Sequence, residues 1–279
     1  MKISNNSIKS KKNVIIKFFS DRKRFKREQY FYSKFKNKNL NIPKILNIND
    51  NTISFKEYKF KKIKSKKLFF KALINFLIIT NKVKNYELFA KENLKSYNKL
   101  HKDIKKRFKK LCKLKTEKKY SLKMKVIKLY IKKILTEKHK NVKLTKINYL
   151  ISQSDIGFHN CAILNKNVFF YDFEYSGLDH PIKLICDTYY QPEKKIDKKY
   201  ILRFIDKLEK SFRFKLPKNF LIFEKLFKIK MMLIILNIFV ASNISNVSKL
   251  KNKKKIEKLK SQRLNKAYKY IKVPFIYES

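Results

Sequence analysis

An aspartate and an asparagine stand five apart in Ser154-Asp155-Ile156-Gly157-Phe158-His159-Asn160, and Tyr171-Asp172-Phe173-Glu174 follows soon after. These residue types suit phosphoryl transfer from a nucleotide to a hydroxyl. That reaction needs one carboxylate to orient and deprotonate the acceptor, and oxygen ligands to hold Mg2+ on the phosphates. The spacing puts Asp155 in the place of the base and Asn160 and Asp172 in the places of metal ligands. Glu174 falls on the same side of an extended segment as Asp172, where it adds a ligand or binds a metal-held water. Each piece alone is weak, because turn and cap chemistry also places Asp and Asn on loops. Weight comes from the order: loop, apolar strands, turn, second acid.

The elements that must position this segment follow from periodicity. Ile147 to Ile151 reads as a strand leading into the loop, and Ala162 to Leu164 and Val168 to Tyr171 bracket the turn Asn165-Lys166-Asn167. Near the start, residues 13 to 19 form a strand from which Lys17 projects. Ser20 or Asp21 caps a helix through about Phe35, with Phe25, Glu28 and Tyr32 on one face. Pro43 breaks the chain before Lys44 to Ile48, and Asn49-Asp50-Asn51 turns it back into Thr52 to Tyr58. From Lys66 to about Asn141 the pattern is helical, with stripes at Leu68, Phe69, Ala72, Leu73, Phe76, Leu77 and at Val126, Ile127, Tyr130, Ile131, Ile134. After Pro181 it is helical to about Ile271, with breaks near Pro192 and Pro217. The expected class is α+β: a small β-rich lobe with one helix over residues 1–58, then a larger, mainly helical lobe over 59–279 holding a single β-hairpin.

Composition bounds the rest. With 44% hydrophobic and 14% aromatic residues the chain can build a sizeable core, which excludes global disorder despite 33% charged residues. A net charge of +51 admits two readings. One is a polyanionic partner, nucleic acid or anionic membrane. The other is compositional drift, because the excess is nearly all Lys, it is spread along the chain, and Arg is sparse. Drift is the preferred reading. Lys102 to Lys119, predominantly basic with Phe108, Leu111 and Leu114 at spacings of three, reads first as a solvated helix packed on a narrow stripe, and second as a membrane or nucleic-acid surface. Cys112, Cys161 and Cys186 lack metal-ligand spacing and suit free thiols in a reducing cytoplasm. The first residues carry no apolar signal core. Met231 to Ala241 is about half of the roughly 20 residues a spanning helix needs, so a buried helix is expected there.

The stretch SDIGFHNCAIL and the later VFFYDFEYSGLDHPIKLICD resemble the aminoglycoside phosphotransferase and choline kinase group, small-molecule kinases with a bilobal protein-kinase-like fold. DFEYSG, Asp172 to Gly177, is most similar to the choline-kinase-like members. The resemblance implies ATP and Mg2+ as cofactors, Asp155 as catalytic base, and Asn160, Asp172 and Glu174 around the metal. Lys17 in VIIKFF resembles the strand lysine that contacts nucleotide phosphates, and Glu28 its helix partner. Lys56-Glu57-Tyr58 falls at the hinge that binds adenine, and Asp187 where a buried acid braces the catalytic loop. Gln153 stands where the group has a bracing His. No glycine precedes Lys17; Asn5, Asn6 and Ser7 are the residues available for a polar turn over the phosphates. His159 is assigned to loop packing, and Asp179 and His180 receive no role. The function so implied is transfer of a γ-phosphate to a hydroxyl of a sugar, amino alcohol or aminoglycoside-like molecule. The competing reading is a catalytically weak kinase-like protein that engages an anionic partner through the basic runs at 102–119 and 249–260.

Overall fold

The β-branched apolar run of residues 14–16 starts a strand in a computed structural model that describes residues 7–11, 13–114, 117–139, 142–240 and 253–277. The chain divides into two compact units. One joins Lys2–Asn93 to Ile147–Leu216; the other joins Leu94–Lys146 to Pro217–Ser279, with Met1.

In the first unit, β1 (Ser7–Lys11), β2 (Val14–Phe18), β3 (Ile45–Asn49) and β4 (Thr52–Lys56) form an antiparallel sheet of order β1-β2-β4-β3. β1 was not expected from its polar SIKSK sequence. It is an edge strand exposed along its length, and pairing with β2 rather than burial holds it, while its lysines discourage further pairing. Ser7 belongs to this strand, and Asn5 and Asn6 lie outside the described residues. Asp21 caps α1 (Arg22–Phe35) by accepting from the backbone N–H groups of Lys23 and Arg24. The helix buries Phe25, Glu28, Phe31, Tyr32 and Phe35.

After β4 the chain passes through residues 57–60 and makes a two-bond bridge, Lys61 with Ile163. That bridge joins it to β6 (Cys161–Leu164), which forms a hairpin with β7 (Asn167–Phe170). Asn165 and Lys166, both at positive φ, make the turn. A second two-stranded sheet, not expected, accompanies this hairpin. β5 (Leu150–Ser152) pairs with β8 (Gly177–Asp179), a strand too short to show alternation. Its Gly177 sits at φ 154, and a Cβ there would lie 2.4 Å from the backbone nitrogen of Ala90, so two chain segments touch at this point. α2 (Lys66–Thr80), α5 (Pro181–Tyr189) and α6 (Lys198–Phe212) complete the unit, around a core that includes Phe69, Leu73, Leu77, Ile182 and Phe204.

The second unit packs α3 (Tyr97–Cys112), α4 (Ser121–Thr136), α7 (Phe220–Ile235) and α8 (Lys253–Tyr270). The expected helical run from Lys66 to Asn141 is thus three helices, one in the first unit and two here. α3 buries Tyr97, Ile104 and Leu111, a heptad stripe, and leaves its lysines in solvent. The apolar run from Met231 begins inside α7, a helix whose core-facing residues Phe223, Phe227 and Met232 are fully buried. Among the described residues no helix is long and apolar enough to cross a membrane.

Candidate active site

All of the sequence-predicted site residues fall in the first unit. Lys17 points from β2 and Glu28 from the buried face of α1; their Nζ and Oε2 atoms are 2.5 Å apart. The same Nζ lies 2.7 Å from Oδ1 of Asp172 and 3.5 Å from Oε2 of Glu174. A lysine and an aspartate separated by 155 positions in sequence therefore meet in one ion pair. Arg24, one helical turn before Glu28 on α1, reaches Glu174 at 3.2 Å.

Phe173 explains why the acids on either side of it face α1. Its ring is fully buried and stacks on Phe31 at 3.9 Å, with Tyr32 edge-on and Phe76 of α2 behind. Asp172 adopts φ 68, so the segment is bent and not extended as its sequence suggested. Asp is among the few residues that tolerate this region without large strain. The bend still turns Asp172 and Glu174 toward the same ammonium.

The charge balance is unusual. Three carboxylates surround one lysine in a largely buried site. Burial alone would favour the neutral amine of Lys17, but Glu28, Asp172 and Glu174 outweigh it and raise the pKa. Burial pushes Glu28 up to about 7, and Asp172 and Glu174 add to the shift while Lys17 opposes it. The carboxylate oxygens of Glu28, Asp172 and Glu174 lie within 4.8 Å of one another. An all-oxygen set of this kind suits a hard cation such as Mg2+ or Ca2+, and not a soft one.

The loop carrying Asp155 is tied to this cluster by backbone and side-chain bonds. Asn160 donates from Nδ2 to the Asp155 carbonyl at 2.8 Å, and its own carbonyl accepts from the N–H of Tyr171, the residue before Asp172. Gln153 donates to the carbonyls of both Asn160 and Tyr171, so it braces the loop against the acid segment. His159 places Nε2 3.3 Å from Oδ1 of Asp155, closer to the carboxylate than a packing role required. Its ring also explains Gly157, where a Cβ would sit 2.6 Å from the His159 Cε1. The Tyr175 ring lies under the Arg24 guanidinium, 5.0 Å from its centroid. Burial, opposed by Arg24, pushes its hydroxyl up to about 12, with Glu174 and Asp155 adding to the shift.

Asp187 makes its ion pair with Lys183, at 2.8 Å, and reaches the loop through that residue. Lys183 is 1% exposed and also holds Asp179 at 2.8 Å and the hydroxyl of Ser154 at 2.9 Å. Ser154 itself sits at φ 65 immediately before Asp155. Lys183 was missed because lysine is common throughout the chain, and Arg24 because it sits in the basic run RKRFKR with nothing to set it apart. A signal existed for Lys183: it stands four residues from both Asp179 and Asp187, inside the otherwise apolar PIKLIC. Asp179 and His180 are fully buried, one in this ion cluster and the other capping α5 at the Ile182 N–H.

At the exit from β4, Tyr58, Phe60, Phe169 and Tyr171 form an aromatic group with ring centroids 5.4 to 6.1 Å apart. Tyr58 belongs to the hinge expected at residues 56–58, and Phe169 and Tyr171 to the segment ending at Asp172.

No protein-family model and no curated protein sequence matches the chain. Solved structures do. A choline/ethanolamine kinase family protein from Mesorhizobium loti superposes with a TM-score of 0.56 at 10% identity, covering 97% of this chain and 86% of that one. Choline kinase LicA from Streptococcus pneumoniae gives 0.55 at 13% identity, over 96% and 89% of the two chains. The ADP-bound aminoglycoside phosphotransferase APH(2'')-Ib gives 0.51 at 16% identity, over 97% and 95%. At these identities the likeness is one of fold, a mixed α/β architecture with a small antiparallel sheet and a larger helical part.

Proposed function

We propose that this protein is a nucleotide- and Mg2+-dependent phosphotransferase acting on a hydroxyl group of a small molecule. The observation that carries the reading is the meeting of Lys17, Glu28, Asp172 and Glu174 in one cluster. In the proposed bilobal arrangement, residues 1–58 form the nucleotide-binding lobe, and Tyr58, Phe60, Phe169 and Tyr171 give an aromatic wall beside the hinge.

Each residue then has a distinct task. Lys17 binds phosphate oxygens, and Glu28 holds its ammonium in place from α1. Asp172 and Asn160 would hold Mg2+, with Glu174 available as a further oxygen donor beside them. The metal would supply charge neutralisation on the phosphates. Asp155 accepts the proton of the attacking hydroxyl, and His159 at 3.3 Å orients the carboxylate. Gln153 keeps the loop in register with the acid segment, and Lys183 fastens the loop to α5.

The acceptor is a sugar, an amino alcohol or an aminoglycoside-like compound. Structural neighbours that bind hygromycin B or gentamicin support the small-molecule class. A nucleotide-turnover assay across such hydroxyl compounds tests the reading. Wild type is expected to release ADP only with an acceptor of the right class, and Asp155→Asn to lose about a thousandfold or more in kcat. Turnover that Asp155→Asn leaves intact would remove Asp155 from the mechanism.

A further inference from the structure

The basic charge is not spread evenly over the two units. Residues 94–146 hold 21 Lys plus Arg against 3 Asp plus Glu, a net +18 of the chain's +51 in under a fifth of its length. Structure adds a second fact that charge alone does not supply. α4 leaves Leu122 75% exposed and Leu129 57% exposed. The two leucines are seven residues apart, on one face of the helix. They line a groove of about 760 Å³ with Phe108 and Cys112 of α3 and with Lys125, Lys128 and Lys132, and among the described residues no acid lines it.

Exposed leucines aligned on a lysine-rich helix face are wasteful in water. From these observations we infer that the α3–α4 face docks on an anionic lipid surface. Leu122 and Leu129 enter the boundary between headgroups and acyl chains, and Lys125, Lys128 and Lys132 lay their stems along that boundary and their ammonium groups on lipid phosphates. Charge complementarity selects an acidic partner, and the leucines select among acidic partners. A nucleic acid backbone offers protruding aliphatic side chains little to bury against unless base steps are prised open, whereas a lipid surface buries them directly. The helix lies on the membrane and does not cross it, consistent with its length and lysine content. This inference does not depend on the phosphotransferase reading.

Co-sedimentation of the full chain with vesicles tests it. Vesicles of phosphatidylcholine with added phosphatidylglycerol should capture the protein, and vesicles of phosphatidylcholine alone should not. Added salt should weaken the capture. Leu122→Ser combined with Leu129→Ser leaves the charge unchanged, and these side chains are solvent-exposed, so the fold should survive. That variant should partition about tenfold more weakly or worse. Lys38→Gln with Lys59→Gln, two exposed lysines of the other unit, should change partition little. Equal capture of the leucine variant would reduce the effect to charge adsorption and overturn the proposal. So would preferential binding of duplex DNA over anionic vesicles, or a solution dimer that the leucine substitutions dissociate.

Discussion

Three carboxylates share the ammonium of Lys17, and Glu28 is the most deeply buried of them. Its folded pKa of about 7 lies above its ordinary value of 4.5, so the folded state binds the extra proton between those limits. Stability therefore falls as pH rises from about 4.5 to about 7, the opposite of an ion-paired surface acid. In nucleotide- and metal-free protein, wild type should gain thermal stability relative to Glu28→Gln as pH is lowered through that window. A difference that is flat with pH, followed by scanning calorimetry, would contradict the assignment. Asp155, Asn160, Asp172 and Glu174 could be picked out as candidates from sequence because they lie on one short stretch with a fixed order. Lys17 and Glu28 needed a strand and a helix face around them to stand out from 72 basic residues. Arg24 had no such context, and Lys183 had only its spacing of four from Asp179 and Asp187; the coordinates show what each touches.

At the scale of elements, α5 is fastened to the Asp155 loop by a buried ion cluster. Burial favours the neutral amine of Lys183, yet Asp179 and Asp187 raise its pKa, while burial raises that of Asp179. Removing one partner strands a buried charge, so Lys183→Met should destabilise the protein by roughly 3–5 kcal/mol in chemical denaturation. Adding Asp179→Asn should recover part of that loss. Gly177→Ala brings a Cβ onto the backbone of Phe89 and Ala90 at a φ that L residues rarely adopt, and should cost roughly 3 kcal/mol or more. β2, α1, β4 and the β6–β7 hairpin were readable from alternation and turn residues. β1 and β8 were not, because the first has a single apolar residue, Ile8, and the second has only three residues. Their pairing is decided by the strands they meet, and local sequence does not record it.

At the scale of the molecule, a net charge of +51 repels itself in the compact state. Raising salt from about 20 mM to about 300 mM shortens the screening length severalfold and should raise the melting temperature by several degrees. A melting temperature indifferent to salt would mean that local ion pairs already neutralise the repulsion. The two-unit division was not legible, because each unit draws on two separate stretches of sequence. The general class was, because a short β-rich stretch precedes long helical periodicity. The central claim is that Lys17, Glu28, Asp172 and Glu174 bind a metal-nucleotide, and calorimetric titration with ATP tests it most directly. Heat of binding should appear with Mg2+ and vanish with excess chelator. Affinity should fall at least about tenfold in Asp172→Asn and in Lys17→Met, where charge-assisted contacts are lost. Absence of binding with Mg2+ present, or unchanged affinity in Asp172→Asn, would contradict the account.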